Sequence, residues 1–173
     1  DDACGSTGFQ SALVTTLSAG VTYYAVVWHF GGAPPLPGEG NLQLLVGRLV
    51  APTNDVCSGV VQVQLNQPVF GATLGATNQY QLSGSACFTG LGQIPVTAQG
   101  KDVVYTFTAP SAGQYSFKAL GFQADGDLVL YVTGSCPASG PFPATLNDCL
   151  GAANRNAVST AESIECVPLM ASQ

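Results

Sequence analysis

At 173 residues the chain is long enough for one or two small cores, and its net charge of −6 rests on only four basic residues, Arg48, Lys101, Lys118 and Arg155. Without clustered Lys and Arg, neither a nucleic-acid groove nor attraction to an anionic membrane surface is supported. Only 8% of residues are charged, against roughly 25% in ordinary soluble domains, and 21 glycines with many Ser, Thr, Asn and Gln fill the deficit. Such a polar, weakly charged surface loses little desolvation energy on contact, which suits adhesion or assembly.

In chain order, period-two patterning predicts strands at 13–17, 21–28 and 41–49. Their alternation puts Tyr23, Ala25 and Val27, then Leu42, Leu44 and Val46, on positions suited to entering a core. The runs 23–28 and 42–46 are too short to cross a bilayer. Between them, Ala33-Pro-Pro-Leu-Pro-Gly38 is a Pro/Gly loop, and residues 50–53 read as a linker. Short strands are expected at 60–65, 69–74, 78–82 and 94–98.

The stretch 102–108 alternates Val103, Tyr105 and Phe107 with Val104, Thr106 and Thr108. A turn at 109–113 then leads into 114–119, which predicts a hairpin. Residues 127–133 are apolar on both faces and read as a central strand. Pro137 to Pro143 is a second Pro/Gly loop, 150–165 is polar and left unassigned, and no helix is expected. Many short strands joined by Gly/Pro turns imply an all-β chain, a sandwich or jelly roll.

Six cysteines stand at 4, 57, 87, 136, 149 and 166, none in a Cys-x-x-Cys pair, and the one histidine is His29. That pattern argues against zinc and for structural disulfides in an oxidising compartment. The absence of an Asn-x-Ser/Thr sequon fits a bacterial secreted protein. No signal peptide is visible, and any leader is taken as already removed.

The chemistry-bearing residues are few. His29 lies between Trp28 and Phe30 and reads as a strand histidine, since a general base needs a nucleophile and an orienting group beside it. Neither a Gly-x-Ser-x-Gly elbow nor a His-Glu-x-x-His motif occurs. Asp125 and Asp127 flank Gly126 in what reads as a turn, the usual place for Asp. They are the best candidates for calcium, with Asp1, Asp2 and Asp148 also near turns, although solvated turn carboxylates are the plainer reading. Trp28, Phe30 and Tyr80 are candidates for a sugar-stacking patch, with burial in a core as the default. The expectation is a non-catalytic module without a cofactor.

A sparse internal repeat relates Ser6 to Ala19 with Ser159 to Ala171, through matches such as Ser11 with Ser163 and Leu17 with Leu169. Further motifs come in order: Asn54-Asp-Val-Cys57, Phe70-Gly-Ala-Thr-Leu-Gly-Ala76, Cys87, Asp102 to Pro110, Ala112-Gly-Gln-Tyr115, Asp127 to Val132, Gly134-Ser-Cys136 and Asn147-Asp-Cys149. Together they resemble the bacterial pre-peptidase C-terminal domain, a jelly-roll-like antiparallel β-sandwich appended to secreted proteins. The resemblance covers 54–173 and, separately, 1–49.

The order of the pieces departs from the family. Its closing strands resemble Leu17-Ser-Ala-Gly-Val-Thr-Tyr-Tyr24 and Gly40-Asn-Leu-Gln-Leu-Leu-Val46, which here come first. The resemblance therefore implies that 1–49 is a donor segment and that 54–173 is a sandwich lacking its last strands. Unpaired edges of that kind need filling, either by the chain's own 21–49, by 21–49 of another copy, or by nothing if the ends are artificial. The linker reaches at most about 18 Å, which favours another copy. The resemblance also implies disulfides Cys57–Cys87 and Cys136–Cys149, leaving Cys4 and Cys166 to pair within or between chains. The function expected is an extracellular structural or adhesive module with copies of itself as partners. The alternative is an accessory module gripping polysaccharide or protein for a secreted hydrolase.

Overall fold

The computed structural model describes residues 13, 15–27, 43–84, 86–121, 127–155 and 161–172. The chain divides into two units, Asp1–Arg48 and Leu49–Gln173. Regular structure among the described residues is β apart from two single-turn 3-10 segments, Thr53–Asp55 and Cys57–Gly59. In the second unit the strands are β1 (Val61–Gln62), β2 (Tyr80–Leu82), β3 (Tyr105–Thr106), β4 (Gly113–Leu120), β5 (Leu130–Thr133), β6 (Ala144–Leu146), β7 (Cys149–Ala153) and β8 (Ala161–Leu169).

These strands form four two-stranded ladders: β1–β3 and β2–β6 parallel, β4–β8 and β5–β7 antiparallel. The expected wholly antiparallel arrangement is thus corrected. The reason lies in β2 and β6, which run the same way in register from Tyr80↔Ala144 to Leu82↔Leu146. A parallel pair cannot be closed by a tight turn, so its strands come from distant parts of the chain.

That register also explains the disulfides, which correct the pairing implied by the resemblance. Cys57 bonds Cys136 and Cys87 bonds Cys149, with Cα atoms 5.9 and 6.1 Å apart. Cys57 and Cys136 precede β2 and β6 respectively, whereas Cys87 and Cys149 follow them. Two chain segments advancing side by side meet their opposite numbers, not their sequence neighbours.

The expected hairpin between 102–108 and 114–119 does not form either. β3 pairs with β1, and β4 runs antiparallel to β8 from Gly113↔Leu169 to Leu120↔Ala161. What the turn brings together are rings: Phe107 lies edge-on to Tyr115 and Phe117, with centroids 5.3 and 5.9 Å away. The Ala109 carbonyl, at the start of the turn, accepts the backbone N–H of Ser172 at 2.8 Å.

β8 lies within the stretch 150–165 and beyond, where no conformation was assigned. Its polar residues conceal an alternation in which Glu162, Ile164, Val167 and Leu169 are buried. A bulge sets Glu165 and Cys166 opposite Ser116 alone, with Cys166 at φ 60°. The extra residue restores the phase, so that Ile164 and Val167 both face inward.

Residues 127–133 narrow to β5, which pairs only with β7 among the described residues, so its expected central place is not observed. Segments 69–74 and 94–98 carry no ladder. Single backbone bonds hold the latter, from Leu82 N–H to Thr97 O (2.9 Å) and from Ile94 N–H to Asn154 O (2.8 Å). Asn154 returns a side-chain bond to Ile94 O at 2.8 Å, standing in for a strand neighbour.

Two apolar clusters make up the core of this unit. One gathers Tyr80, Leu82, Phe88, Leu146 and Ala152 around both disulfides. The other gathers Ala109, Ala153, Ile164, Val167 and Leu169 under the Phe107, Tyr115 and Phe117 rings. At Gly151 of β7 a Cβ would sit 2.7 Å from the Ile164 Cγ2, so the β5–β7 and β4–β8 ladders meet where a side chain is missing. Gly75 is required for a different reason: its φ of 85° and the nearby Val50 carbonyl disfavour any side chain.

Two outcomes follow. Peptide mapping without reduction recovers Cys57 joined to Cys136 and Cys87 joined to Cys149. Gly151→Ala lowers stability by about 1–3 kcal/mol through overpacking against Ile164, measured by denaturant unfolding.

Candidate functional site

Unit Asp1–Arg48 forms no strand among its described residues, against the expectation for 13–17, 21–28 and 41–49. A turn at Ala19–Gly20, with Gly20 at φ 77°, lets Ser18 N–H donate to the Tyr23 hydroxyl at 3.0 Å. A strand gains its ladder only from a partner, and without one the same residues remain extended and open.

The residues expected to enter a core are accordingly exposed: Tyr23, Ala25, Val27, Leu44 and Val46. Leu42 lies outside the described residues. Their neighbours are more open still, Tyr24 at 89% and Leu45 at 88%. Single exposed apolar residues are ordinary, but runs such as 23–27 and 44–46 are the mark of a surface awaiting contact. Fully burying one such side chain is worth about 1.5–3 kcal/mol.

The second unit has strands with one unpaired side among the described residues. Each of its ladders is two strands wide among the described residues, so β4 and β8 each have one side without a ladder neighbour. β4 and β8, at eight and nine residues, are the longest of these strands. Unpaired strand edges are templates for a further strand.

The face of the β4–β8 ladder near the bulge is polar. The Glu165 carboxylate accepts hydrogen bonds from the Ser116 and Ser163 hydroxyls. Those two bonds hold its carboxyl below the ordinary 4.5, and the positive charges of Lys118 and Arg155 add to the effect. Beside it, Thr89, Gln93, Arg155, Ser163, Glu165 and Cys166 line part of a shallow cleft of about 390 Å³. This chemistry offers hydrogen bonds and weak ion contacts at an edge rather than an enclosed pocket.

Cys166 is exposed and carries a free thiol, and the bulge turns it away from the core; its expected pairing with Cys4, within or between chains, involves a residue outside those described. Cys4 lies outside the described residues, as do His29, Trp28, Phe30, Asp1, Asp2 and Asp125. Asp127 and Asp148 are exposed, and among the described residues no group of three or more His, Cys, Asp or Glu could hold a metal ion. Tyr80, a candidate for sugar stacking, is 1% exposed and belongs to the core. Burial pushes the Tyr131 phenol up, with Asp102 and Tyr80 adding to the shift.

Polar residues that sequence reasoning treated only as motif letters prove to be staples. Asn54 donates its side-chain amide to Val104 O at 3.1 Å and accepts Val104 N–H at its backbone carbonyl at 2.7 Å. Asp55 accepts from Thr77 N–H at 2.7 Å and from the Thr77 hydroxyl at 2.9 Å. The Tyr80 hydroxyl accepts Cys57 N–H at 2.9 Å and donates to Pro137 O at 2.8 Å. The one signal for the first two was the polar pair Asn54-Asp55, two residues ahead of Cys57. Glu162, 1% exposed, accepts Arg155 N–H at 2.8 Å, and nothing in its sequence context distinguishes it.

Among the described residues no helix is long and apolar enough to cross a membrane, and the two disulfides fit an oxidising compartment. Comparison with known protein families, curated proteins and solved structures gives no match.

Alkylation of the folded, unreduced chain labels Cys166, whereas Cys57, Cys87, Cys136 and Cys149 react only after reduction; mass spectrometry of the digest reads the difference. Tyr80→Phe strands Cys57 N–H and Pro137 O together and costs about 1–3 kcal/mol, seen as a lower denaturation midpoint.

Proposed function

We propose that the chain is a non-catalytic extracellular structural or adhesive module that joins its copies, or tandem neighbours, head to tail by β-strand complementation. In this reading residues 21–49 are the donor and the second unit of another copy is the receiver. The observation that carries it is the exposure, outside any strand, of Tyr23, Val27, Leu44 and Val46. The two-strand width of the ladders in Leu49–Gln173 supports it from the other side.

Two sequence features support the same reading. The elements that resemble the closing strands of a pre-peptidase C-terminal-like sandwich come ahead of the segment that resembles the rest of it, an order that supports reading 21–49 as a donor. A surface with 8% charged residues resists close approach weakly. The disulfides and the low charge support a secreted location.

Strand addition combines a backbone ladder with pockets for alternate side chains. The full-length chain, imaged by negative stain and weighed by sedimentation at rising concentration, is expected to give linear assemblies. The double variant Val27→Asp, Leu44→Asp replaces two exposed side chains, which changes the folded unit by about 0.5 kcal/mol or less, yet it is expected to remain monomeric. A wild-type chain that stays a compact monomer and is retained on an insoluble polysaccharide overturns the reading in favour of an accessory binding module.

A further inference from the structure

Where the first 3-10 turn meets the residues that lead into β2 and β3, two carboxylates come together with unequal hydrogen bonding. Asp55 has a donor on each oxygen, both from Thr77. Asp102 has donors on one oxygen only: its Oδ2 accepts the backbone N–H groups of Gln79 at 2.8 Å and Tyr80 at 3.0 Å. Its Oδ1 is buried without a partner, and so is Oε1 of Gln79, the residue already bonded to it.

We propose that Asp102 is a proton-dependent staple, which takes up a proton in mild acid and tightens the join between the 3-10 turn, β2 and β3, and loosens it as the medium approaches neutrality. A carboxylate wants donors on both oxygens, and two carboxylates in one site do not both ionise freely. The bare oxygen of Asp102 is what sets it apart from Asp55, whose two oxygens each have a donor. Protonation turns Asp102 from an acceptor with a bare oxygen into a donor and removes the repulsion from Asp55.

The groups facing Asp102 are Asp55 on the 3-10 turn, Tyr80 on β2 and Tyr131 on β5, and Lys101, next in the chain, is exposed. Burial holds the Asp102 carboxyl above its ordinary 3.8; the Tyr80 and Gln79 N–H groups pull the other way, and Asp55 adds to the rise. A raised carboxyl stabilises the fold most below 3.8, and that contribution is lost as pH climbs through the folded value. Glu165 has the opposite sign: its contribution is present above 4.5 and is lost as pH falls through its lowered value. The staple is independent of the assembly reading, since all its parts lie within Leu49–Gln173.

The test is thermal unfolding of the full chain and of Asp102→Asn across roughly pH 4 to 7. The wild-type midpoint is expected to fall towards neutrality, while the variant, which keeps an acceptor for both N–H groups and cannot ionise, is expected to be flatter over the same range. Parallel profiles overturn the proposal. A carbon-13 NMR titration of the Asp102 carboxyl in the wild-type chain decides the matter without a variant: a midpoint above 3.8 is expected, and one at or below 3.8 overturns it.

Discussion

A phenol hydroxyl at the base of the first core cluster holds the second unit in register. Tyr80 is almost wholly buried, and its ring lies edge-on to Phe142 with centroids 5.7 Å apart. Its hydroxyl binds the backbone at Cys57 and at Pro137, next to Cys136. Both ends of one disulfide are thus tied to a single side chain of β2. Burying that hydroxyl without partners would cost several times what a net hydrogen bond contributes, so the surrounding chain has little freedom to choose another arrangement.

From this node the parallel register of β2 and β6 follows, and from the register the second disulfide, Cys87–Cys149. These strands are only three residues long, too short to be stable by themselves. Cross-links separated by 79 and 62 residues compensate by restricting the unfolded chain, each worth about 2–4 kcal/mol. Disulfides, polar staples at Asn54 and Asp55 and two modest apolar clusters share the work that one large core does elsewhere.

Unit Asp1–Arg48 has no comparable brace among its described residues. Its apolar runs are patterned for a sheet but are exposed and unpaired as strand, a combination that an isolated domain would select against. The low charge of the chain points the same way, because few charges guard these edges against another strand. The proposed complementation accounts for both features with one interaction.

The sequence by itself determined the all-β class seen in the described residues and the presence of disulfides, because period-two patterning and cysteine spacing are local properties. β4 was legible within a residue or two from the alternation of Tyr115 and Phe117, and β2 from Tyr80 and Leu82. Only the tertiary structure decided which strands pair. The apparent hairpin at 102–119 dissolved because β8 offers β4 a longer ladder, and β8 itself was hidden by polar Glu162 and by a bulge that breaks the alternation at Cys166. The disulfide pairs, the staples at Asn54 and Asp55 and the lone oxygen of Asp102 likewise depend on contacts between residues 22 to 79 positions apart. Period-two patterning says which side of a strand is apolar, but not which distant segment lies beside it; that choice is made by packing, by the hydroxyl of Tyr80 and by the burial of every polar group that must find a partner.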